Sequence, residues 1–262
     1  MQTVYIGNTL INDVMLGSQR MDDVIQTITL PVDILIVASG GGGGSAGVGN
    51  NNGSGGGAGA GRYLSASFSL IQTGTAYSFT IGSAGTGGSN GGDATAFGVT
   101  CTGGGSGGGT ASGGNSGGSG GGASVAVPSS AGNATSATGN YGIGYGVAGA
   151  TSAGFPSTLI GGNGGGAGGT FAGSTTPKSW LDGINYAEGG YAGRQSHTQS
   201  TLYGSGGDGA DVNLGTTTGN TGVKGIIKLR YAGSGSQATG GQISFSGGYT
   251  YHTFTASGTF TY

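Results

Sequence analysis

Five consecutive glycines, Gly40 to Gly44, begin the first of several long stretches whose side chains are too few to build an oily interior. Glycine fills 13 of the 22 positions from 40 to 61, 13 of the 20 from 103 to 122, and 7 of the 9 from 161 to 169. Ordering glycine costs more backbone entropy than ordering any other residue. Such runs fold only if an interaction that needs no side chain offsets that loss. Collagen is excluded, because proline numbers only 4 and five adjacent glycines break any Gly-X-Y period. The remaining solution is the extended threefold helix of polyglycine, the analogue of polyproline II. It makes no internal hydrogen bonds, so its N–H and C=O groups point outward. Without Cβ atoms, neighbouring helices can approach and bond laterally, helped by weak Cα–H···O contacts. The fold expected is therefore mainly β with extended polyglycine-II-like helices: a layered glycine-rich bundle framed by short antiparallel strands, with essentially no α-helix.

The rest of the composition narrows the function classes. Only 6% of residues are charged and the net charge is −2. No basic stripe exists to neutralise phosphates, so nucleic acid is not an expected partner. No apolar run approaches the ~18 residues of a membrane helix, so no membrane insertion is expected. The first residues lack the basic-then-apolar pattern of a secretory signal. The single cysteine, Cys101, reads as a small buried residue in a strand-like stretch.

Along the chain, residues 1–31 form a distinct head with an approximate ten-residue repeat. Val4-Tyr5-Ile6-Gly7-Asn8 is followed by Val14-Met15-Leu16-Gly17-Ser18, as in short strands joined by turns. This head reads as a docking module, with Tyr5, Ile6, Met15, Leu16 and Arg20 as candidate docking residues; the alternative is a first hairpin of the main domain. Residues 32–236 form the glycine-rich domain, and 237–262 read as a C-terminal β-hairpin segment. Val32 to Ala38 is the most hydrophobic stretch and reads as a buried strand. Tyr63 to Leu70 and Ala76 to Ile81 alternate like strands, and Phe97 to Thr102 resembles another. In Val223 to Tyr231, Lys228 and Arg230 alternate with Ile227, Leu229 and Tyr231, which predicts a half-exposed edge strand.

Chemical motifs are weak. The many Gly-x-Gly-x-x-Gly matches lie in no strand–turn–helix unit. Gly206-Gly207-Asp208-Gly209-Ala210-Asp211 has some features of a calcium-binding β-helix repeat, but it is single; Asp208 reads better as a capping residue in a turn, as does Asp93. Two histidines, His197 and His252, and one cysteine leave little room for a transition-metal site. A triad of a serine with His197 and Asp182 lacks a nucleophile-elbow context. No catalytic residue, metal or cofactor is expected. Aromatic residues, Phe155 and Phe171 among them, instead gather with Lys178 in the inserts between glycine runs. Tyr141, Tyr145, Trp180, Tyr186, Tyr191 and Tyr203, with Arg194 and His197, are candidate receptor-contact residues, since rigid aromatics and arginine dominate recognition surfaces. The competing expectation is that several of them pack over the glycine layers.

The order of segments also carries a resemblance. Asp33-Ile34-Leu35-Ile36-Val37-Ala38 leads into Gly40 to Gly44. Gly74-Thr75-Ala76-Tyr77-Ser78-Phe79-Thr80-Ile81-Gly82 and Gly91-Gly92-Asp93-Ala94-Thr95-Ala96-Phe97-Gly98 follow, and Gly225-Ile226-Ile227-Lys228-Leu229-Arg230-Tyr231 closes the series. This resembles the glycine-rich domain of phage tail-fibre and other phage structural proteins. Tyr251 to Phe260 looks like a segment found beside that domain. The blocks also resemble, in architecture, the T-even-type long-tail-fibre adhesins, whose polyglycine II helices form a layered sandwich with host-reading loops at its tip. The resemblance implies a non-enzymatic virion surface protein, made in the host cytoplasm and carried out on the particle. Expected partners are other virion proteins through the head, a host surface glycan or outer-membrane protein through the loops, and further copies of the chain in a homo-oligomer. A head fibre or capsid decoration protein without a receptor site is the alternative.

Overall fold

In the computed structural model, the described residues are 4–6, 9–11, 15–16, 19–20, 30–46, 56–61, 63–70, 74–110, 112–125, 130–135, 143–152, 160–193, 195, 197–211 and 216–262. Among them there is no α-helix. In residues 1–31 two antiparallel strand pairs are described, β1 (Val4–Ile6) with β2 (Thr9–Ile11) and β3 (Met15–Leu16) with β4 (Gln19–Arg20). The hydrophobic run becomes β5 (Leu30–Val37), followed by β6 (Tyr63–Leu70), β7 (Ala76–Ile81), β8 (Ala94–Ala96), β9 (Val99–Cys101) and β10 (Ile143–Tyr145). Then come β11 (Lys178–Ser179), β12 (Asn185–Tyr186), β13 (Ile226–Ala232), β14 (Gln242–Ser246), β15 (Tyr249–Phe254) and β16 (Gly258–Thr261). Two larger sheets result, both antiparallel: β10-β6-β5-β13-β15-β14 and β16-β7-β8-β9.

The inner strands of the six-stranded sheet are buried on both faces. Val32, Ile34 and Ile36 of β5 pack with Leu64, Ile227, Leu229 and Phe254 against Phe79, Ala94, Cys101 and Phe260 of the smaller sheet. Phe79 lies parallel to Phe260, at 6.1 Å between ring centroids, and edge-on to Phe254 at 5.0 Å. On the opposite face Leu35, Val37, Tyr63, Ile226 and Tyr251 are covered by Trp180, Tyr186 and Ala187. Burial on two sides is why β5 reads as a continuous apolar run rather than an alternating one.

The edge-strand expectation for Val223 to Tyr231 is overturned. β13 lies centrally, between β5 and β15. Its two cations are largely covered, and each meets a carboxylate. Lys228 Nζ donates to Asp182 Oδ2 at 2.5 Å, and Arg230 Nε donates to Asp33 Oδ2 at 2.9 Å. Their charged ends also lie over aromatic rings, Lys228 Nζ 5.7 Å from the Tyr251 centroid and Arg230 Cζ 4.3 Å from that of Tyr249. The Phe97 to Thr102 stretch is likewise more than a strand. Phe97 and Gly98, at φ 51° and 77°, form the turn between β8 and β9, and the Phe97 ring packs edge-on against Phe68 and Phe79. The C-terminal residues join both sheets. Gly247 and Gly248, at φ 58° and 80°, make the two-residue turn of the β14–β15 hairpin, while β16 pairs with β7. His252 is fully buried. Its Nδ1 lies 2.7 Å from the Gly240 carbonyl and its Nε2 3.1 Å from the Tyr231 hydroxyl. Burial lowers its pKa, so the ring is neutral, with Nδ1–H donating and Nε2 accepting.

The glycine runs form neither helix nor strand, yet their backbone groups are bonded sideways with a period of three. In run 39–46, Ser39 and Gly42 donate to Gly92 and Ser89. Gly40, Gly43 and Ala46 donate to Val223, Asn220 and Thr217, and Gly41 and Gly44 donate to Gly59 and Gly56. The carbonyls repeat in the same way. Ser39 and Gly42 accept from Gly104 and Gly107, Gly40 and Gly43 from Gly85 and Gly88, and Gly41 and Gly44 from Gly207 and Ala210. Every third residue thus meets the same neighbouring segment. Donor partners run antiparallel and acceptor partners parallel, at 2.8–3.1 Å. Run 56–61 keeps the three-residue period, but its donor partners run in both directions: Gly57 and Ala60 donate to Gly162 and Gly165, which is parallel, and Ala58 and Gly61 to Gly207 and Gly204, which is antiparallel. The approach is close enough that a Cβ on Gly43 would overlap the Asp208 carbonyl, and one on Gly44 the Gly108 carbonyl. Two alanines of the runs, Ala60 and Ala167, belong to the apolar cluster with Trp180. Asp93 is not a local turn cap. Its Oδ1 accepts the Gly103 N–H, and Asn90 Oδ1 accepts the Ser106 N–H three residues on, both at 2.9 Å.

Candidate functional site

The candidate loop residues divide into two groups. The first packs. Hairpin β11–β12 lies on the six-stranded sheet, and its tight turn is set by Asp182, whose Oδ1 accepts the Ile184 N–H at 3.0 Å. Trp180 and Tyr186, expected on a receptor-contact surface, are instead 5% and 1% exposed. Burial of both rings supplies the apolar cover the glycine-poor face needs. Trp180 Nε1 donates to Ser65 Oγ at 3.2 Å, and Tyr186 Oη donates to Asp182 Oδ2 at 2.7 Å. The Lys228 ammonium reaches the same carboxylate oxygen and lies 5.9 Å from the Trp180 ring centroid. Burial pushes the Asp182 pKa up. The hydrogen bonds from Lys228 and Tyr186, then the Ile184 N–H and the Lys228 charge, outweigh that and hold the carboxyl below its usual value. Burial first, and then the Asp182 carboxylate, raises the Tyr186 phenol. Asp182 is therefore committed to Lys228 and Tyr186 rather than to His197. Tyr145 is half-buried, edge-on to Tyr63, with Lys178 Nζ 4.3 Å above its ring.

The second group forms a ring platform. Tyr191 stacks on His197, with ring centroids 3.7 Å apart and planes at 23°. Their residues lie on a loop spanning 191–203, clamped to two glycine runs. Asp208, in run 204–210, accepts the Tyr191 N–H through Oδ1 at 2.8 Å, and its Oδ2 lies 3.3 Å from His197 Nδ1. The Asp208 N–H in turn donates to Gln199 Oε1 at 2.8 Å, and Gln199 Nε2 donates to the Gly206 carbonyl at 3.1 Å. On the other run, Asn163 Oδ1 accepts the Ala192 N–H at 2.9 Å and Gln195 Nε2 at 2.6 Å. The stack is thus held by side chains from two segments that are themselves laterally bonded. His197 is exposed as a residue but its side chain is only 24% exposed, Tyr191 is half-buried, and Tyr203 on the same loop is 38% exposed. Tyr141 and Arg194 lie outside the described residues. The head positions place Tyr5 and Ile6 in β1, Met15 and Leu16 in β3, and Arg20 in β4.

Three features go beyond the sequence reading, which had Asp208 only as a local turn cap, whereas it accepts from Tyr191 17 residues away, and Phe171 only as one of the insert aromatics. Asp208, Gln199 and Asn163 carry the clamp, and only their partners in space reveal it. Phe171, at 69% exposed, and Leu181 and Ile184, at 51% and 49%, put apolar surface on the same inserts. An open groove of about 460 Å3 at one end of the large sheet is lined by Asp33, Ser67, Ser69, Arg230 and Tyr249 among others. Among the described residues no group of three or more His, Cys, Asp and Glu is gathered where it could hold a metal. No protein-family model matches the chain, and no curated protein matches it.

Proposed function

We propose that this chain is a non-enzymatic bacteriophage virion surface protein, a tail-fibre or adhesin component. In this reading the glycine runs form a polyglycine-II-type bundle that displays loops to the host cell surface. The three-residue bonding repeat supports it most: every third residue of run 39–46 addressing one neighbour is what a threefold extended helix packed among others requires. Such a bundle is neutral, rigid and independent of a large core. It suits a particle surface and leaves the inserts between runs free to vary. The segment order that resembles the phage glycine-rich domain points the same way, and the head, residues 1–31, is the proposed mount on another virion protein. The Tyr191–His197 stack is the proposed contact for a surface glycan or an outer-membrane protein loop, because its geometry is fixed before binding and little entropy is lost.

Burial of Trp180 and Tyr186 favours a second reading, a head fibre or capsid decoration protein whose inserts serve packing. Two measurements separate the readings. Purified protein is expected to block phage adsorption, and labelled antibody to mark the tail. Tyr191→Ala combined with His197→Ala is expected to abolish the block while shifting the melting temperature little. Label on the capsid together with undisturbed adsorption overturns the adhesin reading.

A further inference from the structure

The outer edge of the large sheet ends in β14, Gln242-Ile243-Ser244-Phe245-Ser246, and all five residues are exposed. Natural edge strands are ordinarily blunted by charge, proline or a bulge. β14 has none of these: it pairs with β15 in unbroken register, from Gln242 opposite Thr253 to Ser246 opposite Tyr249. The Gly247–Gly248 turn makes Ser246 and Tyr249 a hydrogen-bonded pair, so Ser246, Ser244 and Gln242 turn their backbone groups towards β15. The N–H and C=O groups of Ile243 and Phe245 therefore face outward, along an edge with no partner strand among the described residues.

We infer that β14 is a self-complementary docking edge that pairs antiparallel with β14 of a second copy of this chain. The occupant follows from the register. When Ser244 faces its own counterpart across a two-fold axis, Ile243 lies opposite Phe245 of the other copy, and Phe245 opposite Ile243. Both are then hydrogen-bonded pairs, so the four outward N–H groups meet the four outward C=O groups. The same register sets two Ile–Phe cross-strand pairs side by side on one face, covering side chains that are 38% and 55% exposed in the single chain. The strand is uncharged, so nothing repels the second copy. The six-stranded sheet becomes a continuous twelve-stranded one with closed two-fold symmetry. The contact is small, so its strength depends on effective concentration, which display of copies on one support raises without new contacts. The pairing rests on the sheet alone, not on the proposed function.

Light scattering and sedimentation of the full chain over a concentration series test it. The expected result is a monomer passing to a dimer and stopping there. Phe245→Lys puts charge on the edge, and Phe245→Pro removes one outward N–H while keeping the inward ladder. Each is expected to weaken the dimer at least about tenfold, with melting unchanged. Ser244→Cys lies on the axis and is expected to give a covalent dimer on oxidation, since Cys101 is fully buried; if either Phe245 variant melts early, this crosslink decides alone. A chain that stays monomeric and does not crosslink, a dimer untouched by both Phe245 variants, or open-ended assembly overturns the inference.

Discussion

Gly107→Ala is expected to destabilise the protein by about 3 kcal/mol or more, whereas Gly109→Ala, two residues along the same run, is neutral or stabilising by up to about 1 kcal/mol. A Cβ on Gly107 would overlap the Gly56 carbonyl and come 2.7 Å from the Gly44 nitrogen. Those atoms are backbone, held by bonds of their own: Gly44 donates to Gly56, and Gly107 donates to Gly42. The clash therefore cannot be relieved by one side chain rotating. It must push neighbouring runs apart and stretch several hydrogen bonds together. At Gly109 the nearest atoms, all of Ser45, are 3.6–3.9 Å away, which is ordinary contact. There the alanine only restricts the unfolded chain. Urea unfolding of both variants checks the pair. Equal effects would mean that glycine serves in these runs through flexibility, not through close approach.

Asp182→Ala is expected to cost about 3–5 kcal/mol, because it leaves the Lys228 ammonium buried without its counter-charge. The two side chains are 8% and 11% exposed, so water cannot easily replace the carboxylate. The replacement also frees the Tyr186 hydroxyl and the Ile184 N–H. Replacing both partners, Asp182→Leu with Lys228→Met, should recover most of the loss, since no buried charge then remains. The pH dependence has a definite sign. The folded pKa of Asp182 lies below its unfolded value of about 3.9. Its contribution is full above that value and is lost as pH falls through the folded pKa. The gap between wild type and Asp182→Ala should therefore be constant from neutral pH down to about 5 and close in stronger acid. Chemical denaturation across that range reads it directly.

Much of the sheet framework is legible in the sequence because it rests on local alternation. Tyr63 to Leu70 and Ala76 to Ile81 are strands with the bounds that alternation predicts. β13 shows where local reasoning stops. Lys228 and Arg230 look like solvated charges in isolation, and the carboxylates that bury them, Asp182 and Asp33, lie 46 and 197 residues away. The aromatic inserts fail and succeed for the same reason. Residue type marks Trp180 and Tyr191 equally as rigid contact surface. What separates them is position: Trp180 lies over an apolar sheet face, while Tyr191 is held on a loop by Asp208 from a neighbouring run. The glycine runs announce that something must replace a core, but the neighbour that each third residue meets is set by the path of the whole chain.

Native-state amide hydrogen exchange, resolved by residue, tests the central claim that lateral backbone bonding holds the glycine runs. Gly41, Gly44, Gly57 and Gly122 donate between runs and carry no side chain to shield them. They are expected to exchange only through unfolding that also exposes Ile34 and Ile36 of β5, with protection of the same order. Exchange of those glycine amides at the rate of solvated coil, while β5 stays protected, would contradict it.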